Sequence, residues 1–189
     1  MQRPDCSVRR TEIQSTITTK DTGTSVSSDI NPKPLWKTVL GDPVHILAFG
    51  FGTGLAPKAP GTVGSLPGVI LAWLTLSWSL EWRLAVVFAL IVSGIWICGE
   101  SARRLDSHDH PGIVWDEITG MYLTLLVAPP QMAFWALAFG LFRLFDIWKP
   151  WPIRDLDHRL AGGLGIMLDD LVAALYAAIM LAFGGWLIS

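Results

Sequence analysis

The chain consists of a polar amino-terminal segment followed by apolar runs that short polar segments separate. Four of these runs contain no charged residue: 59–80, 84–99, 118–142 and 171–189. A helix that crosses the hydrocarbon core of a bilayer needs about 20 apolar residues. The first and last runs have about that length and the second comes close to it, so the pattern predicts an all-α integral membrane protein. Pro60 and Pro67 place the start of the regular helix in the first run near Ser65. Buried helices of a soluble α-helical domain are the alternative, because the first two runs are short.

The third run, 118–142, is interrupted by Pro129 and Pro130. Two consecutive prolines remove two backbone donors and disfavour helical conformation just before them, so the run is either one kinked span or a hairpin. Lys and Arg cluster before the first run, after the second and after the third, and the positive-inside rule places all three clusters in the cytoplasm. Only a hairpin satisfies this rule. We therefore expect about five short apolar helices with the polar loops on the cytoplasmic face.

Residues 1–40 form a polar segment that is rich in Ser and Thr and poor in apolar residues. Such a composition cannot bury enough surface to offset the entropy lost on ordering, so we expect disorder over about 1–35. The segment has no apolar run of the kind found in secretory signal peptides. We therefore expect a disordered tail over 1–40 and a membrane domain over 41–189.

Composition supports a membrane protein and argues against two other classes. Apolar residues make up 51% of the chain and charged residues 16%, against roughly 25% charged residues in typical soluble domains. The formal net charge of −2 lacks the basic footprint of nucleic-acid-binding proteins. With two cysteines, Cys6 and Cys98, the chain has neither a disulfide framework nor a Cys-rich zinc site.

The first polar cluster is a glycine-rich segment over 45–65, HILAFGFGTGLAPKAPGTVGS. Its glycines allow backbone amides to approach an anion closely. The segment lacks the Gly-Lys-Ser/Thr ending of a phosphate-binding P-loop, and Pro57 and Pro60 prevent a helix directly after the glycines. The segment is equally compatible with an anion-binding loop and with a simple turn at the membrane surface.

Two pairs of adjacent acids stand at the beginning of apolar runs: Asp116 with Glu117, and Asp169 with Asp170. A charge at the centre of a membrane helix costs about 2.5–3.5 kcal/mol of insertion free energy, and less near the interface. The presence of acids without a cationic partner at these positions therefore requires an explanation. Acids also stabilise helix amino termini through the helix dipole, but one acid would suffice for that. Paired carboxylates suit a hard cation such as Mg²⁺, which also binds substrate phosphates.

Basic residues follow the third run. Arg143, Asp146 and Lys149 are spaced by three residues, so on a helix Asp146 shares a face with each of its two neighbours. Arg154 follows shortly after. A plain ion pair would explain Arg143 and Asp146, but cations beside carboxylates also neutralise phosphate charge in a transition state. We therefore expect phosphoryl chemistry on a lipid head group, with Arg143, Lys149 and Arg154 binding the substrate.

Four segments carry a family resemblance: HILAFGFGTGLAPKAPGTVGS, VWDEITG, FRLFDIWKPWPIRDLD and GGLGIMLDDLVA. In this order they resemble the signature segments of the phosphatidylglycerophosphatase A family, from His45 to the carboxyl terminus. The resemblance implies a Mg²⁺-dependent, multi-pass phosphatase of the bacterial inner membrane whose active site faces the cytoplasm. Such an enzyme hydrolyses phosphatidylglycerophosphate to phosphatidylglycerol and phosphate. Its expected partner is a phospholipid substrate, with no nucleic acid and no indication of a protein partner.

The resemblance also implies roles for individual residues. The expected catalytic residues are Asp116, Glu117, Asp146, Asp169 and Asp170. The expected metal ligands are Asp116, Glu117, Asp169 and Asp170. Asp157 also lies in the family motifs, whereas Asp155 stands where the family has an apolar or aromatic residue. The expected reaction is metal-assisted attack of water on phosphorus, and an aspartyl-phosphate intermediate is the alternative.

A competing interpretation is a small membrane transporter whose carboxylates bind protons or cations during passage. The acids flank the apolar runs rather than interrupt their centres, which counts against a transporter. A membrane scaffold without catalysis does not explain the paired carboxylates.

Overall fold

The computed structural model describes residues 34–107, 110–151 and 162–188, and all regular structure within these ranges is helical. The α-helices, in chain order, are α1 Leu35–Leu40, α2 Pro43–Ala48, α3 Pro60–Gly64, α4 Leu66–Leu74, α5 Leu80–Arg104, α6 Trp115–Leu125, α7 Met132–Trp148 and α8 Gly163–Ile188. A 3₁₀ segment, Gly50–Leu55, lies between α2 and α3. The prediction of an all-α protein is therefore confirmed for the described part of the chain.

Two of the described helices are long and apolar enough to cross a bilayer: Leu80–Arg104, and Gly163–Gly185 within α8. Each contains a stretch with a mean hydropathy of 2.0, and most residues of these stretches are not buried inside the protein. Large apolar side chains such as Phe88 and Ile179 are exposed on the outer faces of the two helices. Exposed apolar surfaces of this extent are typical of contact with lipid or a partner, which makes association with a membrane plausible.

The first apolar run does not form a third long helix, so the prediction that it reaches spanning length is wrong. It forms α3 and α4 instead, and the apolar stretch Pro60–Leu74 is shorter than 18 residues. Pro67 has no N–H to donate to the carbonyl four residues before it, and its ring disfavours a continuous helix through that point. The helix therefore restarts at Leu66, where a proline in the first turn is accepted.

The third run ends one helix and begins another around its two prolines. Helix α6 ends at Leu125 and α7 begins at Met132, with Pro129 and Pro130 in the connection. Gly120 of α6 faces the Phe142 ring of α7, so close that a Cβ on Gly120 would lie 2.7 Å from Phe142 Cε2. Contacts between the beginning of α6 and the end of α7, across a short connection, show that the two helices run antiparallel.

Helices α5 and α8 also run antiparallel, with glycines at their contact. Gly94 lies against the Met167 side chain, and Gly99 lies against the backbone of Gly163. A Cβ on Gly163 would collide with the Ile95 carbonyl oxygen. Only glycine allows two helix backbones to come this close. The end of α5 and the beginning of α8 consequently meet at the same end of the bundle.

Helix α6 runs parallel to both α4 and α8. Gly64 contacts the Val114 side chain and Gly68 contacts the Ile118 carbonyl, which joins α3 and α4 to α6. Gly120 lies near the backbone carbonyl of Asp170, which joins α6 to α8. These orientations bring the polar sequence clusters, which are far apart along the chain, to one end of the bundle.

Two apolar clusters hold these elements together. The larger is built around Tyr122, Phe142 and Ala174, between α6, α7 and α8. The second contains Val39 and Phe49 and packs the amino-terminal helices against α5. Residues 35–40 of the predicted tail thus form α1, whose Val39 is completely buried. Residues 1–33, where most of the predicted disordered tail falls, lie outside the described residues.

Candidate active site

A cavity of about 400 Å³ opens at the end of the bundle where the polar clusters meet. Its walls come from α3, the first turn of α6, the end of α7 and the first two turns of α8. All five acids that the sequence singled out line it: Asp116, Glu117, Asp146, Asp169 and Asp170. The cations Arg143 and Lys149 line it as well. Arg154 and Asp157 lie outside the described residues.

Three of the acids form one compact group. Asp116, Glu117 and Asp170 each offer a carboxylate oxygen, and these three oxygens lie within 4.8 Å of one another. Asp116 and Glu117 occupy the first turn of α6, and the close packing at Gly120 brings Asp170 of α8 alongside them. Asp170 is only 4% exposed. Each of the two acidic pairs contributes to this group, although about fifty residues separate them in sequence.

Arg143 stands beside the group on α7. Its Nη1 lies 2.6 Å from Asp146 Oδ2, one helical turn away, and 3.9 Å from Glu117 Oε1 across the hairpin. All three side chains are at most 15% exposed. Arg143 and Asp146, which are three residues apart in the sequence, therefore form a partly buried ion pair. Water screens partly buried charges weakly, so the guanidinium makes the electrostatic potential in the cavity markedly more positive.

Lys149 does not share the helical face of Asp146, because α7 ends at Trp148. Lys149 has left-handed backbone angles, φ 45° and ψ 64°, and its N–H donates to the Phe145 carbonyl. This conformation turns the side chain toward α8, where Nζ lies 2.7 Å from Asp169 Oδ2. Lys149 and Asp169 thus form a second charged pair in the wall of the cavity.

The glycine-rich segment contributes to the site through one of its residues in particular. Gly61, in α3, lies directly against Glu117 Oε1 and the Arg143 guanidinium, and a Cβ there would be 2.9 Å from Arg143 Nη2. Gly61 and Thr62 line the cavity, whereas Gly54 packs against Gly112 and Gly64 against Val114. Sequence reasoning identified the glycines of the segment as a group and did not distinguish Gly61 from the others. Its only local signal is the Pro-Gly-Thr sequence that begins α3.

The donor set of the compact group fits a hard divalent cation. Glu117 Oε2 and Asp170 Oδ2 are buried, and neither has a hydrogen-bond partner in the part of the chain that the structure describes. Buried acceptors without partners are costly, and three carboxylates this close repel one another strongly in a weakly screened environment. A cation between them relieves both costs, and oxygen ligands of this kind suit Mg²⁺.

The described histidines lie outside this group. His45 is buried, and its Nδ1 lies 2.8 Å from Ser101 Oγ, which joins α2 to α5. His110 Nδ1 accepts a hydrogen bond from the Gly112 N–H. Both contacts stabilise the chain around the site. His108 and His158 lie outside the described residues.

Comparison with known proteins identifies the family. The sequence profile of phosphatidylglycerophosphatase A matches residues 46–184. This chain belongs to the phosphatidylglycerophosphatase A family. The resemblance seen in the four sequence segments is thereby confirmed, and a transporter is not favoured. No solved structure matches the chain significantly.

The chain is similar to individual relatives over most of their length, and two of them carry the family's name. Phosphatidylglycerophosphatase A of Escherichia coli is 44% identical over 149 residues, which cover 77% of this chain and 86% of the relative. The protein of that name in Haemophilus influenzae is 45% identical over 150 residues, covering 78% and 91%. A relative from Bacteroides thetaiotaomicron, provisionally named phosphatidylinositol-3-phosphatase, is 36% identical over 155 residues, covering 76% and 94%.

Proposed function

We propose that this protein hydrolyses the phosphomonoester of phosphatidylglycerophosphate, giving phosphatidylglycerol and inorganic phosphate. The observation that carries the proposal is the cavity in which three carboxylates and Arg143 converge, in a chain of the phosphatidylglycerophosphatase A family. Acids that can hold a cation, beside a cation that can bind phosphate, are the components that phosphoryl transfer requires.

Within this proposal, Asp116, Glu117 and Asp170 hold Mg²⁺. When bound, Mg²⁺ supplies charge that polarises the phosphoryl oxygens and favours attack by water. Asp169 was also expected to be a ligand, but it lies outside the compact group and contacts Lys149. The geometry therefore supports three of the four expected ligands.

Arg143 binds the phosphoryl group and neutralises its charge. Arg143 lines the cavity, and a guanidinium has five N–H donors, more than its contacts with Asp146 and Glu117 use, so it can also donate to a phosphate oxygen. Asp146 and Glu117 both contact its Nη1 and hold the guanidinium in place. A guanidinium fixed before the substrate arrives requires little reorganisation during the reaction, which is how prearranged charges accelerate it.

The arrangement in the membrane is part of the proposal. Helices α4 to α8 enter the bilayer, with α5 and α8 crossing it and α6 and α7 forming a hairpin that turns at Pro129 and Pro130. In support, five helix ends lie on the side of the cavity: the beginnings of α4, α6 and α8 and the ends of α5 and α7. Arg103 and Arg104 lie at that end, and the positive-inside rule makes it cytoplasmic. The membrane is then the bacterial inner membrane.

The experiment that tests the proposal is phosphate release by the purified protein in detergent. Phosphatidylglycerophosphate is compared with phosphatidate, lysophosphatidate and phosphatidylinositol 3-phosphate at equal concentrations. We expect kcat/KM to be highest for phosphatidylglycerophosphate. Release that is fastest from one of the other lipids would overturn the substrate assignment, and no release from any lipid would overturn the phosphatase assignment.

A further inference from the structure

The pair formed by Lys149 and Asp169 sits in the cavity wall but outside the three-carboxylate group. Asp169 is adjacent to Asp170 in sequence, yet its Oδ2 faces Lys149 Nζ at 2.7 Å. The Asp169 side chain is 9% exposed and that of Lys149 is 30% exposed. The carboxylate is therefore the more buried partner, and the lysine side chain is the more exposed one, in the wall of the cavity.

The backbone of Lys149 carries a conformational cost that points to a function. Its φ of 45° lies in the left-handed region, which residues with a Cβ adopt unfavourably and glycine adopts freely. Glycine is the usual residue at such a helix end. Strained backbone conformations concentrate at functional sites, where the side chain compensates for the cost. Here the compensating feature is an ammonium group aimed at the cavity and held there by Asp169.

We propose that Asp169 is a positioning residue that holds the Lys149 ammonium at the cavity, where Lys149 binds the substrate phosphate, and that Asp169 is not a ligand of the cation. The inference rests on the proposed function and deepens it. An ammonium group has three N–H donors, so Lys149 donates to Asp169 and to a phosphate oxygen at the same time. The pair therefore stays intact when substrate binds.

Holding Lys149 in advance matters because its side chain is long and flexible. A free lysine side chain loses rotamer freedom when it is ordered around a ligand. The ion pair orders the side chain before the substrate arrives, so this loss does not weaken phosphate binding. Removing either partner should then have nearly the same consequence for phosphate binding, because the role proposed for Asp169 is exerted through Lys149.

The first test measures cation binding without turnover, using Mn²⁺ as the probe and electron paramagnetic resonance to count free Mn²⁺. We expect Asp169→Asn to keep Mn²⁺ affinity within about threefold of the wild type, and Asp170→Asn to weaken it by at least about tenfold, since only Asp170 would be a ligand. Equal weakening by the two variants would overturn the proposal.

The second test is a double-mutant cycle on phosphate binding and kinetics. Lys149→Ala and Asp169→Asn should each raise KM by about tenfold and weaken competitive inhibition by inorganic phosphate by a similar factor, with a smaller effect on kcat. The double variant should be no worse than either single variant, because coupled residues are not additive. Asp169→Glu, which keeps the carboxylate, should recover part of the loss. Additive effects, or losses confined to kcat, would contradict the proposal.

The third test uses the strain at Lys149 and guards against misfolding. Lys149→Gly and Lys149→Ala remove the same ammonium, but only glycine relieves the left-handed backbone. We expect the glycine variant to melt about 2–4 °C above the alanine variant, while both show the same defect in phosphate binding. An equal or lower melting temperature for the glycine variant would contradict the strain argument. The Mn²⁺ measurement does not depend on lipid hydrolysis, so failure of the proposed function and failure of this inference remain distinguishable.

Discussion

The carboxylate of Glu117 lies 3.9 Å from the guanidinium of Arg143, across the two helices that the Pro129-Pro130 connection joins. The ion pair links the acidic segment of α6 to the basic segment that ends α7. It can form only because the two helices run antiparallel and meet at the same end of the bundle. Gly61 lies against both side chains, so three separate sequence motifs meet at this one contact.

Removal of the charge of Glu117 or Asp170, two acids of the compact group, should nearly abolish catalysis. Glu117→Gln and Asp170→Asn keep the side-chain shape and remove the charge, so each should lower kcat/KM by at least roughly a hundredfold, about 2.7 kcal/mol of transition-state stabilisation. Steady-state phosphate release from phosphatidylglycerophosphate is the measurement. Glu81→Gln is the matched control, since Glu81 is exposed at the other end of α5. Near-normal activity of Glu117→Gln or Asp170→Asn would exclude that acid from the reaction.

A methyl group at Gly61 should be far more harmful than one at Gly140. The Cβ of Gly61→Ala would collide with Glu117 Oε1 and press on the Arg143 guanidinium, so we expect kcat/KM to fall by about tenfold or more. Gly140 lies within α7 with no atom near its Cβ position. Gly140→Ala should keep full activity and stabilise the protein by about 0.5–1 kcal/mol. Equal activity of the two variants would show that the contact at Gly61 is unimportant.

Metal removal should abolish turnover if the carboxylates hold Mg²⁺. Treatment with EDTA followed by dialysis should reduce phosphate release to background, and added Mg²⁺ should restore it, because the phosphate charge would otherwise face uncompensated carboxylates. Full activity after chelation would rule out the metal mechanism while leaving the phosphatase assignment intact.

The orientation in the membrane can be read from thiol labelling. In a background without Cys6 and Cys98, Asp106→Cys and Trp151→Cys lie on the cavity side, and Gln131→Cys lies in the connection between α6 and α7. A membrane-impermeant reagent added to intact cells should label only Gln131→Cys, and in inverted vesicles it should label the other two, since the positive-inside rule makes the cavity cytoplasmic. Labelling of Asp106→Cys and Trp151→Cys from opposite sides would show that the acidic pairs cannot share a site.

The amino-terminal segment should be dispensable up to α1 but not through it. Residues 1–33 precede the family match, which begins at residue 46, so their deletion should leave activity within about tenfold, or 1.4 kcal/mol of barrier. Deletion of 1–40 also removes Val39, which is completely buried, and should destabilise the protein by about 1.5–3 kcal/mol. Melting temperature and phosphate release separate the two effects. Equal stability of both deletions would mean that α1 contributes nothing.

The local features of this protein could be predicted from its sequence. The apolar runs determined the helices, because a segment without charges must be buried or face lipid whatever surrounds it. Two prolines determined the break in the third run, since they remove donors from any helix. Arg143 and Asp146 could be paired because a spacing of three residues fixes their distance on a helix. The length of the first helix was overestimated because α4 ends at Leu74, before the uncharged run ends at Leu80.

Only the tertiary structure decided which of these residues act together. Asp116, Glu117 and Asp170 converge because glycines let α6 and α8 approach closely, and helix contacts across fifty residues leave no local trace in a sequence. Asp169 and Asp170 are neighbours in the chain with the same side chain, so reasoning from the sequence assigns them the same role. Adjacent residues on a helix point about 100° apart. Asp170 therefore faces α6 and its carboxylates, while Asp169 faces Lys149 at the end of α7.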